Sequence, residues 1–300
     1  ITNELVRDLR EANGLSQEKL NANICAQETL SRIEKGKKKK KKKKLYQMLK
    51  RMGMERENYY GFIQADDYEL YEKVRQFNRC FPKRRMAEAE KLCDEIKGAL
   101  DMTRTINQQF IGAERIVRQQ KRGELSREQA NRQLWELLCM TMPPSRSGAP
   151  VYRVPFRTEY VIWNRIAVNL RNEGNVEDAI AIFENLIGRY RKSKVSMRYH
   201  AVPGMTLYIN YTGFLEVYNA LEKAEEIGRE GLQHCLECCR GDFAGDILAN
   251  MSLVYGKQGL PDVEEMYLRY GYNLISMYGR KDITRILQKA YQDKFHRDID

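Results

Sequence analysis

The sequence predicts an all-α protein, in which a bundle of short helices precedes an α-solenoid of about five helix pairs with a C-terminal capping helix. Two observations favour this architecture. Apolar residues recur at helical spacing along most of the 300 residues, and no alternating period-2 run indicates a strand. Turns followed by an acidic first helical turn recur after Gly174, Asn219 and Gly259, which is the pattern of a helical repeat.

The first 63 residues predict several short helices. Gly14 is suited to end the first helix in a left-handed conformation, and Ser16 takes the N-cap position of a second helix over 17–22. A tight connection leads into a third helix over 26–35. The other apolar stripes are Leu5, Leu9 and Ala12, then Leu45, Met48, Leu49 and Met52, and, for a fifth short helix, Tyr59, Phe62 and Ile63.

From residue 66 onward the pattern predicts longer helices in antiparallel pairs. The predicted pairs are 67–80 with 83–99, 102–122 with 126–142, 156–172 with 176–192, 205–218 with 220–239 and 245–258 with 261–278, before a capping helix over about 282–296. The repeat spacings of 45 and 40 residues exceed the ~34 of a tetratricopeptide repeat, but the two-helix unit is the same. One pair cannot bury its apolar face alone, so the pairs must stack with a concave inner surface. The predicted domains are 1–65 and 66–300.

The net charge of +11 suggests a nucleic-acid partner, but most of the charge comes from one segment. Residues 1–60 contain 16 Lys+Arg and 8 Asp+Glu, and eight of these bases form the run from Lys37 to Lys44. Taken at face value, the run is a flexible phosphate-binding loop. No apolar run reaches the ~18 residues of a membrane helix. The seven scattered cysteines favour thiols in a reducing cytoplasm.

The second and third predicted helices have the lengths and the tight connection of a helix-turn-helix, which places its second helix in the DNA major groove. On that helix, spacing predicts that Ala26, Leu30 and Ile33 pack inward. Gln17, at the start of the preceding helix, can hold a phosphate. Gln and Arg side chains can bind adenine and guanine edges through two hydrogen bonds. The outward residues are Gln27, Glu28, Ser31 and Arg32. The alternative is a plain helix bundle with a polar face.

The sequence gives little indication of a catalytic site or a metal site. His234 lies beside Cys235, Cys238 and Cys239, but a four-ligand zinc site needs a second pair of ligands that the sequence lacks. Thiols that pack near a helix end are therefore favoured. The chain contains no Gly-x-Ser-x-Gly, no His-Glu-x-x-His and no phosphate-cradling glycine loop. We expect no enzyme, no cofactor and no metal.

Residues 4–36 resemble the Xre/Cro-type helix-turn-helix through Gly14-Leu15-Ser16-Gln17 and the segment from Leu30 to Gly36. With Asn23-Ile24-Cys25 and the tetratricopeptide-like remainder, the whole chain resembles the peptide-sensing regulators of Gram-positive bacteria, the Rgg, NprR, PlcR and PrgX group known as RRNPP. The lysine run departs from the family, which usually has a short proline-containing loop there.

The resemblance implies two sets of residue roles in residues 1–65, which we call the head. Arg10 and Glu34 form an ion pair inside the domain and do not contact DNA. Base-facing positions fall to Ala26, Gln27, Glu28 and Arg32. With the residues named above, the candidate DNA contacts are Gln17, Ala26, Gln27, Glu28, Ser31, Arg32 and Lys35.

The predicted ligand is an extended peptide, held through its main chain by a column of asparagines. Asn164, Asn210 and Asn250 precede the three aligned turns by 10, 9 and 9 residues, so they fall at the same place on three first helices. An asparagine offers both a donor and an acceptor, as a peptide unit requires. Arg171 and Lys257 follow seven residues later and are candidates to hold a carboxylate. Alternatively, the asparagines link neighbouring helices.

These patterns predict a cytoplasmic, homodimeric transcriptional regulator that binds a double-stranded DNA operator and is controlled by a short signalling peptide, as in quorum sensing. Peptide binding would change the dimer and its fit to half-sites about 34 Å apart or a multiple of that. Two alternatives stay open: a repeat module that docks a partner protein such as a response regulator, and a constitutive phage- or plasmid-type repressor without peptide control.

Overall fold

The structure is a computed structural model. It describes residues 6–7, 10–11, 14–35, 37, 42–52, 68–80, 85–141, 157–192 and 201–299. Across these ranges the regular structure is helical and contains no strand, which confirms the predicted all-α class. Outside the described residues lie the predicted positions Leu5, Leu9, Ala12, Tyr59, Phe62 and Ile63.

The described helices follow the predicted order closely. In the head they are α1 (Gln17–Asn21), α2 (Gln27–Glu34) and α3 (Lys42–Arg51). The paired helices are α4 (Tyr68–Cys80), α5 (Met86–Ala99), α6 (Thr105–Lys121), α7 (Arg127–Cys139), α8 (Arg157–Asn172), α9 (Val176–Lys192), α10 (Ala201–Val217), α11 (Leu221–Glu237), α12 (Gly241–Lys257) and α13 (Pro261–Met277), and α14 (Lys281–Phe295) is the final helix. None of these described helices is long and apolar enough to cross a membrane.

The turns that the sequence aligns share one backbone feature. Gly174, Asn219 and Gly259 all adopt a left-handed conformation, with φ of +83°, +60° and +76°. A left-handed residue after a helix ends it and redirects the chain. Each of these residues therefore marks the end of a first helix, and the next helix begins two residues later.

The chain divides into two compact units, and the first consists of residues 1–73 and 93–200. Its head has one apolar core, which contains Leu20, Leu30 and Met48 together with Ile106 from the first turn of α6. A second core is built by α6, α7 and α8 around Ile116, Leu134 and Ile162. The first helix pair after residue 100 therefore contributes directly to the core of the head.

Three neutral side chains also join the helices of this unit. Gln120 Nε2 of α6 donates to Asn169 Oδ1 of α8 over 2.7 Å, and Asn169 Nδ2 donates to Asn131 Oδ1 of α7 over 2.8 Å. Asn169 is 1% exposed, so both of its bonds replace water. This buried chain of amides holds α6, α7 and α8 in one register.

The second unit consists of residues 74–92 and 201–300. Its helices α12 and α13 cross closely, because a Cβ atom on Gly245 would lie 3.2 Å from the backbone oxygen of Gly271. On α11, a Cβ on Gly228 would lie 2.7 Å from Met251 Cγ of α12. Glycine at these positions lets the helices approach further than an alanine would allow. The result is a tightly packed array from α10 to α13.

Candidate nucleic-acid interface and ligand face

Helix α2 presents a polar row to solvent and an apolar row to the head core. Leu30 is fully buried and Ile33 is 3% exposed, as the spacing predicts. The prediction that Ala26 packs inward is wrong, because Ala26 is exposed at the N-cap of α2 with an extended backbone (ψ 147°). The apolar side chains of this segment face the core only from the first full turn of α2 onward. Among the other candidates, Gln27, Glu28, Arg32 and Lys35 are exposed and Ser31 is half-buried.

An ion pair beneath this row holds the head together, as predicted. Arg10 Nε donates to Glu34 Oε1 over 2.8 Å and Arg10 Nη2 donates to Glu34 Oε2 over 3.1 Å. The hydrogen bond to Glu34 raises the pKa of Arg10. Arg10 Nη1 also donates to the Leu15 carbonyl over 3.0 Å. Because the pair is bidentate and largely buried, it fixes the end of α2 against the start of the chain.

The same ion pair occupies one predicted DNA contact. Gln17 Nε2 donates to Glu34 Oε2 over 2.7 Å, so its side chain points toward the acid as well as lying at the start of α1. Ser16 caps α1 as predicted, because its hydroxyl accepts from the Lys19 amide over 3.1 Å. Gln17 therefore belongs to the internal hydrogen-bond network of the head. The predicted phosphate contact would have to use the polar atoms of its side chain that do not bind Glu34.

Helix α3 supports the helix-turn-helix from behind. Arg51 Nη1 donates to the carbonyls of Lys19 and Leu20 over 3.3 and 3.2 Å, and also to the carbonyl of Ala22. These carbonyls lie at the end of α1, where a helix leaves them unpaired. This role of Arg51 was not predicted from the sequence. A basic residue at the end of an amphipathic helix gives no signal of which carbonyls it will reach.

Part of the lysine run is helical. The structure places Lys42 to Lys44 in the first turn of α3, which corrects the prediction of a flexible loop over the whole run. Lys37 is exposed, and Lys38 to Lys41 lie outside the described residues. Lysines in the first turn of a helix interact unfavourably with the helix dipole. Packing of Leu45, Met48 and Met52 in the head core offsets this cost.

Two predicted ligand residues on α12, Asn250 and Lys257, bind α10. Asn250 Nδ2 donates to the Ile209 carbonyl over 2.8 Å, and Lys257 Nζ contacts the backbone oxygen of Glu216 at 2.7 Å and its Oε1 at 2.9 Å. A Cβ atom on Gly213 would lie 3.2 Å from Asn250 Nδ2, so glycine makes room for this link. At Asn250 the structure therefore shows the alternative, an asparagine that links neighbouring helices, and Lys257 links the same two helices.

The other predicted ligand residues are half-buried. Asn164 and Arg171 share one side of α8 with Val161 and Val168, away from the core residues Ile162 and Ile166, and Asn210 lies on α10. Arg165 lies on the edge of the same face of α8, and burial lowers its pKa. Arg165 was not among the predicted residues, although its position between two valines on the same helix as Asn164 and Arg171 was the available signal.

The cysteine cluster behaves as packing thiols. Cys235 is 2% exposed, and burial raises its pKa to about 12. Cys238 Sγ lies 3.6 Å from His234 Nε2. Within the described ranges, no group of three or more His, Cys, Asp or Glu side chains is arranged to hold a metal ion.

Comparison with known proteins agrees with this geometry. The helix-turn-helix family model matches residues 6–57. The head is a helix-turn-helix domain. No curated protein is similar enough in sequence to match the chain.

Two solved structures resemble nearly the whole chain. PlcR from Bacillus thuringiensis, in complex with the peptide PapR7 and DNA, is 17% identical with a TM-score of 0.63, over 95% of this chain and 98% of PlcR. ComR from S. thermophilus, in complex with DNA and its signalling peptide ComS, is 11% identical with a TM-score of 0.54, over 96% of this chain and 97% of ComR. These likenesses confirm the predicted fold, a helix-turn-helix followed by a helical repeat body.

Proposed function

We propose that this chain is a transcriptional regulator that reads double-stranded DNA through α2 and is controlled by a short signalling peptide bound to its repeats. The observation that carries the proposal is the exposed row of Gln27, Glu28 and Arg32 on a helix whose other face is fixed in a helix-turn-helix core. Such a row is what direct readout in the major groove requires. We assign residues 1–65 to DNA binding and 66–300 to ligand binding and dimerisation.

The peptide part of the proposal rests on the fold and on side chains. PlcR and ComR, whose fold this chain shares, were both solved with DNA and a peptide. In the first unit, the candidate peptide contacts are Asn164 and Arg171 on α8. In the second unit they are Asn210, Asn250 and Lys257, and the last two would bind while also linking α12 to α10. A regulator with these partners works in the cytoplasm without a catalytic step, a cofactor or a membrane.

A homodimer is part of the proposal, because operators read by helix-turn-helix dimers consist of two half-sites. In the second unit, α13 exposes an apolar stripe at helical spacing: Met266, Tyr270 and Met277 are 41%, 52% and 81% exposed. An exposed stripe of this kind is typical of an interface. Light scattering of the wild type and of Tyr270→Glu should show a dimer that the substitution weakens.

The experiment that tests the function uses the full chain in two steps. Selection from random DNA duplexes should yield one enriched sequence, which Arg32→Ala fails to enrich. Heptapeptide pools are then added to the complex at fixed salt, because protein–DNA affinity depends steeply on salt. A pool that changes operator affinity supports peptide control. Enrichment without any peptide effect indicates a constitutive repressor, and no enrichment at all overturns DNA readout.

A further inference from the structure

Two amides of the turn between α1 and α2 share one carbonyl at the end of α1. The amides of Ile24 and Cys25 both donate to the Asn21 carbonyl, over 2.8 and 3.1 Å, while the Ala22 amide donates to the Glu18 carbonyl over 3.1 Å. The last carbonyls of a helix have no partner inside that helix. Because α1 has only five residues, most of its carbonyls depend on donors from outside the helix.

Arg51 brings a donor to three further carbonyls of this segment. Its Nη1 donates to the carbonyls of Lys19 and Leu20 over 3.3 and 3.2 Å, and also to the carbonyl of Ala22. A cation is favourable at this place, since the C-terminal end of a helix has a partial negative charge. Arg51 therefore caps α1 from another helix.

The head core fixes the backbone from which Arg51 reaches these carbonyls. Arg51 is the last residue of α3, and Met48 and Met52 on either side of it are 1% and 2% exposed. Both methionines belong to the same apolar core as Leu20 of α1 and Leu30 of α2. The cap therefore joins the end of α1 to a helix that is itself anchored in the core.

The capped carbonyl of Ala22 comes directly before the residue at which the chain turns. Asn23 adopts a left-handed conformation, with φ of +58°. This conformation costs free energy for a residue with a side chain, and it persists where the surrounding contacts hold it. Ala26, three residues later, is already the N-cap of α2. Because the turn is this short, a shift of the backbone at Ala22 changes the direction in which α2 leaves it.

We propose that Arg51 is a positioning residue for DNA recognition: its cap on α1 sets the angle at which α2 presents Gln27 and Arg32 to the bases. The proposal rests on the DNA readout proposed above and adds a residue that acts without touching a base. Side chains that contact a ligand must be held within about 0.5 Å of their working geometry by the contacts around them. The three carbonyl bonds of Arg51 are such a contact, at the turn from which α2 starts.

Two other roles of Arg51 lead to different measurements. As an exposed cation that contacts a phosphate, its loss would weaken binding to every duplex and reduce the salt slope by about 1. As a residue that contributes to stability alone, its loss would lower the fraction of folded chain equally for every duplex. Loss of positioning instead lowers the affinity for the operator, and it leaves the affinity for scrambled duplex and its salt slope nearly unchanged.

Three substitutions of Arg51 and one control separate these roles. Arg51→Met removes the donors and keeps an unbranched apolar stem, and Arg51→Gln removes the charge but keeps a shorter polar side chain that suits an exposed position. Arg51→Lys keeps the charge and a donor but loses the planar guanidinium. Lys19→Met is the matched control, because Lys19 is exposed on α1 and takes part in the cap through its backbone carbonyl. It removes the same charge from the same corner of the head and leaves the cap in place.

The test titrates the full-length chains with the operator that the wild type selects and with a scrambled duplex. Titrations are made at several salt concentrations, at a temperature where circular dichroism shows each chain to be folded. For Arg51→Met and Arg51→Gln we expect the ratio of operator to scrambled affinity to fall about 10-fold, comparable to the loss of one good base contact. Arg51→Lys should recover part of the ratio, and Lys19→Met should keep all of it.

The outcomes separate this inference from the proposed function. The positioning role is wrong if Arg51→Met keeps the wild-type ratio or, where that variant does not fold, if Arg51→Gln keeps it. It is also wrong if both duplexes are weakened equally, or if neither variant folds, since Arg51 is then a phosphate contact or a residue of stability alone. In each of these cases DNA readout stands, because the wild type still discriminates. Failure of the wild type to select any operator overturns DNA readout itself.

Discussion

Lys257 lies with its ammonium nitrogen 2.9 Å from Oε1 of Glu216, and the same nitrogen is 2.7 Å from the backbone oxygen of Glu216. The Glu216 side chain is 9% exposed, whereas that of Lys257 is 40% exposed. The lysine is thus the counter-charge of a buried carboxylate, and it also pairs with a carbonyl at the end of α10, where a cation is favourable. This contact joins the ends of two successive first helices.

Removal of this counter-charge should destabilise the second unit. For Lys257→Met we expect a loss of about 1–3 kcal/mol in the free energy of unfolding, because Glu216 keeps its buried charge without a partner. The double variant Lys257→Met/Glu216→Gln should recover part of the loss. Urea unfolding measures all three chains, with Lys223→Met as a control because its pair with Glu226 is exposed. Equal stability of Lys257→Met and the wild type would mean that water solvates Glu216.

The Arg10–Glu34 pair should matter for the folding of the head more than for its choice of bases. Arg10→Ala leaves Glu34 buried, and removal of one partner of a buried pair costs about 3–5 kcal/mol. Hydrogen exchange of the full chain, followed by mass spectrometry, should show faster exchange across α1 and α2. Exchange in α10 to α13 serves as the internal reference. Unchanged protection of α1 and α2 would contradict a structural role for the pair.

Helix positions were predictable because the apolar period is strong in this chain. The three aligned turns were recognised from Gly174, Asn219 and Gly259, and all three are left-handed, as a turn after a helix requires. Leu30 and Ile33 were likewise assigned to the core from spacing alone. These features depend on local sequence, so the sequence is sufficient to find them.

Contacts between distant residues were less predictable. The donor of Asn250 goes to the Ile209 carbonyl, 41 residues away, and its access depends on the missing side chain at Gly213. Spacing placed Asn250 on the correct helix, but spacing contains no information about which helix its amide would reach. Ala26 was misassigned for a related reason, since the helical period does not yet apply at an N-cap with extended backbone.

Acid should destabilise the second unit through His234. Burial lowers the pKa of His234, while Glu237 and Glu230 partly oppose this effect, so the folded chain favours the neutral ring. In the unfolded chain the pKa is about 6.5, and below that pH the unfolded chain binds a proton that the folded chain does not. The stabilising contribution is therefore complete above about pH 7 and is lost as the pH falls from about 6.5 toward the lower pKa of the folded state, by at most ~1.4 kcal/mol per pH unit.

Urea unfolding between pH 5 and about pH 8 measures this dependence. His234→Gln should reduce the slope below pH 6.5 relative to the wild type. An identical slope in the wild type and His234→Gln would show that carboxylates alone cause the acid sensitivity.

Gln27 and Arg32 should determine operator choice without contributing to the fold. Both side chains are exposed on α2, and the described hydrogen bonds of Arg10 and Glu34 go to other residues, so truncation leaves the core intact. Each good pair of hydrogen bonds to a base discriminates by about 1–3 kcal/mol. Gln27→Ala and Arg32→Ala should therefore bind the selected operator less tightly while their affinity for scrambled duplex changes much less.

Titrations at several salt concentrations separate this loss from a lost phosphate contact, which weakens binding to every sequence and reduces the salt slope by about 1. Arg132→Ala, which removes the same charge far along the chain on α7, should change neither affinity. If both head variants keep the wild-type ratio of operator to scrambled affinity, α2 is not the helix that reads the bases.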